Sequence, residues 1–140
     1  MLLPPGTAPT AGGPGKPAAV RAVDRDMTGE HLTPSPDVDL HSEYLRADLF
    51  LAMGQPTEAA RILTGLVDTE PDNEAALELL ARSYFGSAQL GRAEQTLRRL
   101  VDLAPANAWA RRALARTLER CSRPDEAAVH HRVADALGAA

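Results

Sequence analysis

The chain has 140 residues, a formal net charge of −4, 44% hydrophobic and only 4% aromatic residues. That length allows one domain with a modest core. Scarce aromatics and abundant alanine favour closely packed helices over sheets, and the weakly acidic balance argues against bulk nucleic-acid binding. Charge is uneven: residues 1–81 hold 5 basic and 13 acidic side chains, and residues 82–140 hold 10 and 6. Such polarity can guide a partner or favour head-to-tail self-association. Cys121 is the single cysteine, so no intrachain disulfide forms and a reducing compartment fits. The start MLLPPGTAP has no signal-peptide pattern and no segment is long enough to span a membrane, which sets a cytoplasmic expectation.

Residues 1–36 carry Pro4, Pro5, Pro9, Pro14, Pro17, Pro34 and Pro36 with Gly6, Gly12, Gly13, Gly15 and Gly29. Apolar side chains there are few, too few to offset the entropy of ordering. A disordered Pro/Gly/Ala-rich tail is expected, acting as a linker or lying upstream of a true start at Met27. The alternative is a tail that docks in a groove of its own domain.

From residue 37 to 140 helical periodicity takes over. LHSEYLRADLFLAMG reads as one amphipathic helix ended by Gly54, and Pro56 suits the first turn of the next. TEAARILTGLVDTE runs until Pro71, and Asp72 is placed to cap a helix beginning near Glu74. EAALELLARSYFGSAQLGRAEQTLRRLVDLAP forms a second unit, and a third begins near Ala108. The units share a step of 34 residues, which relates Ala47, Ala81 and Ala115, then Ala59, Ala93 and Ala127, then Phe50, Tyr84 and Leu118. Leu63 with Leu97, and Pro71 with Pro105, keep the same step. A fixed period in this range marks stacked repeats, with units at about 40–73, 74–107 and 108–140. The alanines are expected where the two helices of a unit cross, because small side chains let the axes approach.

A helix–turn–helix of 34 residues with these small residues and a closing proline resembles the tetratricopeptide repeat, in three copies over about residues 40–139. The third copy lacks the closing proline and has His131 where Leu63 and Leu97 stand. The resemblance implies an all-α, right-handed α-solenoid of three hairpins, and a non-catalytic protein–protein interaction module, an adaptor or scaffold. It also implies that the first helices line a concave groove for a peptide or protein segment. The family's lining offsets fall here on Tyr44, Asp48, Glu78, Arg82, Phe85, Trp109, Arg112, Arg116 and Arg120, among others. Aromatic and arginine side chains on such a surface suit an acidic segment with an apolar anchor. The arginines could equally be solvated, or Arg116 and Arg120 paired near Glu119, and Trp109 could be core. The two-carboxylate clamp that some members use is not expected, because its offsets hold Tyr44, Asp48, Leu79, Trp109 and Ala113.

No phosphate loop, HExxH or paired-cysteine motif is present, so neither an enzyme, a cofactor nor a metal site is expected. Asp48 and Glu78 on the groove and the lack of a lysine cluster weigh against nucleic acid. The stretch EAAVHHRVADAL carries two adjacent histidines. Neighbouring helical residues diverge by about 100° and no third ligand sits at helical spacing, so a metal site is not expected. His131 and Asp135 replace Leu63/Leu97 and Val67/Val101, which reads as a polar end cap, or as a self-association face whose charge changes near neutrality. A homo-oligomer joined through this open C-terminal face is the alternative to groove binding. A monomer or weak homodimer is expected.

Overall fold

A computed structural model describes residues 39–139; the tail expected at 1–36 lies outside them. The described residues form six helices: α1 (Leu40–Ala52), α2 (Pro56–Thr69), α3 (Glu74–Gly86), α4 (Leu90–Leu103), α5 (Ala108–Arg120) and α6 (Pro124–Ala136). The first helix of each hairpin starts at a side-chain cap. Asp39 accepts from the His41 amide at 3.1 Å, and Asn73 and Asn107 accept from the amides of Ala76 and Ala110 at 3.0 Å. Each cap satisfies an orphan donor of the first turn, worth about 1 kcal/mol. Asp72 was the expected cap of α3, but Asn73 takes that role: a cap must directly precede the first helical residue, and that residue is Glu74. The second helices have no side-chain cap, and α2 and α6 open on Pro56 and Pro124, which bring no amide hydrogen to leave unpaired.

Within each hairpin the turn reverses the chain through one left-handed residue. Gly54, Ala88 and Ser122 hold that place, 34 residues apart, with φ of 76°, 60° and 61°. Only the first has the residue that adopts this backbone freely.

Helices contact their neighbours in chain order, α1 with α2 through to α5 with α6, and α1 also touches α3. The result is a right-handed α-solenoid of three helix–turn–helix hairpins. The crossing alanines Ala47, Ala59, Ala81, Ala93, Ala115 and Ala127 are all buried, and Leu63, Leu97, Leu118 and Tyr84 fill the layers between helices. Phe50 is only half-buried, because no helix precedes α1 among the described residues. Ser83, Thr96 and Thr117 are buried, yet each hydroxyl donates to the carbonyl four residues back, at 2.8–2.9 Å. Short polar side chains thus allow close helix contact without orphaned groups.

Arginines tie the hairpins together. Arg99 on α4 donates to the Pro71 carbonyl at 2.7 Å. Arg98 and Arg123 share Glu94 and Glu126 across α4 and α6, with Arg123 at 2.8 Å from Glu94. Burial pushes the Glu94 carboxyl up, but hydrogen bonds and charge from Arg123 and Arg98 outweigh it and hold it below the usual carboxylate range. Hydrogen bonds from Arg123 and Arg98 lower Glu126 likewise.

Candidate peptide-binding groove

The matched caps at Asn73 and Asn107 start α3 and α5 in the same register, one 34-residue step apart. Residues on the same face of the two helices therefore come together. Arg82, Phe85 and Gly86 from α3 and Trp109, Arg112, Ala113 and Arg116 from α5 border a cleft of about 430 Å³. Ala81, Leu97 and Thr117 close its floor, and Ala139 stands at one side.

Its two aromatic rings are each covered by a guanidinium. Arg82 lies over Trp109 with its central carbon 5.0 Å from the ring centroid, and Arg120 lies over Phe85 at the same distance. Such stacking holds the arginines in place while leaving their N–H groups free to donate. Arg82 is also 3.2 Å from Glu78, an exposed pair of little energetic weight. Arg116 is exposed and makes no ion pair with another described residue.

Arg112 differs from the other arginines of the cleft. Its side chain is only 16% exposed and reaches across to α6. One nitrogen donates to His131 Nδ1 at 2.6 Å, the other to Asp135 and, at 3.4 Å, to the Ala139 carbonyl. Because a guanidinium can only donate, His131 Nδ1 is the acceptor, and Nε2 is left to donate to Glu119 at 3.1 Å. Glu119 thus goes to His131 and not to Arg116 or Arg120. Arg112 Nε is buried with no partner among the described residues. The neighbouring His130 ring accepts from Arg111 at 3.2 Å; burial, then the Arg111 charge, holds its pKa below the ordinary histidine value.

Five of the candidate residues thus share one cleft: Arg82, Phe85, Trp109, Arg112 and Arg116. Arg120 and Glu78 adjoin it through Phe85 and Arg82. Tyr44 stands apart, in a shallow site with His41, Glu70 and Ala75, and Asp48 is exposed on α1. His131 and Asp135 act on the cleft through Arg112. Sequence reading missed that tie, because the 34-residue step maps Arg112 onto Glu78 and Tyr44 and gives no repeated partner to look for.

A family model described as "Tetratricopeptide repeat" matches residues 50–104. Over that stretch the chain carries tetratricopeptide repeats. Its repeats are of a kind that forms protein–protein interaction modules. Among solved structures, a mutant of MamA superposes with a TM-score of 0.72 at 20% identity, over 87% of this chain and 90% of that one. The MamA fragment 41-end from Desulfovibrio magneticus RS-1 superposes at 0.69 with 23% identity, over 86% of this chain and 65% of that one. A crystal structure of MamA gives 0.69 at 16% identity, over 94% and 77%. At these identities the likeness is one of fold. No curated protein matches the sequence. No described helix is long and apolar enough to cross a membrane.

Proposed function

We propose that this tetratricopeptide-repeat protein is a non-catalytic adaptor or scaffold, and that the cleft between α3 and α5 takes up a protein segment bearing an apolar anchor beside one or more carboxylates. The observation that carries this reading is the pair of guanidinium-covered rings, Arg82 on Trp109 and Arg120 on Phe85, at the rim of an open apolar cleft. An apolar side chain would enter over Phe85, Gly86 and Ala113. Arg82 and Arg116 would meet the flanking carboxylates, while Arg112, held by α6, shapes the wall.

The test is selection of peptides from an unbiased displayed library on the intact chain. Enriched sequences should pair a large apolar residue with Asp or Glu within about one helical turn. Arg82→Ala with Arg116→Ala should then weaken binding at least about tenfold, since hydrogen bonds to a charged group are worth about 1.5–3 kcal/mol each. Enrichment of basic peptides, or binding untouched by the double change, contradicts the reading.

A further inference from the structure

We propose that copies of this chain associate head to tail, the outer face of α6 in one protomer packing on the outer face of α1 in the next. The first observation is on α1. Leu45, Leu49 and Met53 are 50%, 59% and 53% exposed, and their spacing puts them on one helix face. In α3 the residues one 34-residue step on from Leu45 and Leu49 are Leu79 and Ser83, both buried. In α5 Thr117 is one further step on from Ser83, and it too is buried. There, α2 and α4 cover them. The stripe on α1 is thus the face by which this repeat receives the second helix of a preceding hairpin, and no described helix covers it.

The chain presents such a second helix at its other end. The positions of Ala60, Leu63 and Val67 on α2 are taken on α6 by Ala128, His131 and Asp135, with no hairpin beyond them among the described residues.

The internal α2–α3 contact supplies the pairing. The start of α2 approaches the end of α3, where a Cβ on Gly86 would lie 3.3 Å from Pro56. Thr64 is 3.4 Å from the Tyr84 hydroxyl, and Thr64 and Val67 lie beside Leu77 and Leu80. Carried along by the repeat, this sets Pro124 and Ala128 of one copy against Ala52, Leu49 and Met53 of the next. It also sets Arg132 and Asp135 against Glu43 and Arg46. The signs are complementary at both places. They are also complementary in bulk: residues 39–73 hold seven carboxylates and two arginines, while residues 107–139 hold six arginines and four carboxylates. An apolar stripe met by a proline and an alanine, flanked by exchangeable ion pairs, gives a weak and salt-sensitive contact. The contact joins unlike faces, so association does not stop at a closed pair. It touches none of Arg82, Phe85, Trp109 or Arg116 and meets the groove only through Asp135, the partner of Arg112, which the variants below leave in place.

The experiment is sedimentation equilibrium of the full chain over a wide concentration range, at low and high salt. The weight-average mass should rise from the monomer's 14.9 kDa with concentration and fall back in high salt. Leu49→Glu blocks one face, and Pro124→Glu with Arg132→Glu blocks the other; all three sites are exposed, and helical circular dichroism checks the fold. Each variant alone should stay at the monomer mass, and an equimolar mixture should recover a species of about twice that mass, because each retains the face the other lacks. A wild type that remains monomeric, a mixture that remains monomeric, or α6 variants that associate like wild type through α1 alone would each overturn the proposal.

Discussion

The first and third hairpins share one core plan and differ on their outer faces. Inside, Ala47 against Ala59 and Ala115 against Ala127 are equivalent contacts. Outside, α1 leaves Leu45, Leu49 and Met53 open to solvent, whereas α6 places His131 and Asp135 where earlier hairpins have leucine and valine, and ties both to Arg112. Stacked repeats are stabilised by their nearest neighbours. The core contacts must therefore recur, while outer and cleft residues are free to diverge.

The largest predicted effect separates core from outer face. Leu118→Ala, at a fully buried site, should cost about 2–5 kcal/mol in urea denaturation, whereas Leu49→Ala should change stability by less than about 0.5 kcal/mol. Equal losses would mean that α1 is covered as deeply as the core. Next in size, Arg112→Ala should release α6. Asp135 is well exposed and screened, so the global loss should be only about 1 kcal/mol, but hydrogen exchange over residues 124–139 should quicken while α1 is unaffected. Uniform exchange changes in both hairpins would show that Arg112 does not act locally.

A smaller effect tests the turns. Ala88→Gly and Ser122→Gly should each raise stability by about 0.5 kcal/mol, because relief of the left-handed strain exceeds the entropy that glycine adds to the unfolded chain. Gly54→Ala should do the reverse. The smallest effect is with pH. Glu94 and Glu126 have lowered folded pKa values, so their contribution is complete above the unfolded carboxylate value of about 4.3 and is lost as pH falls through the folded values. His130 is lowered too, so stability should already begin to decline below about pH 6.5. Denaturation at a series of pH values checks both, and a rise in stability on acidification would contradict these assignments.

The repeat step made the interior legible before any coordinates: the alanine crossings, Pro56 in a first turn and a third unit starting at Ala108 all follow from contacts that must recur. The cap at Asn73 was misread by one residue, because Asp72 and Asn73 are both good caps and only the true start of α3 chooses between them. The same step aligned Arg82, Phe85, Trp109 and Arg116 on first helices, but not the stacking of arginine on each ring. The tie from Arg112 to α6 left no trace in the repeat, since its partners His131 and Asp135 are themselves departures from it. The open stripe of α1 did leave one. LHSEYLRADLFLAMG has apolar residues on two faces, at Tyr44, Ala47 and Leu51 and again at Leu45, Leu49 and Met53, and the second face is the one left exposed.

The fluorescence of Trp109, the chain's single tryptophan, gives the most direct test of groove binding. Titration of a library-selected peptide into the intact chain should shift its emission saturably, with a midpoint at least about tenfold higher in Arg82→Ala/Arg116→Ala. A peptide that binds, by an independent measure such as calorimetry, while leaving the Trp109 emission unchanged would place the binding site elsewhere on the solenoid and contradict the account.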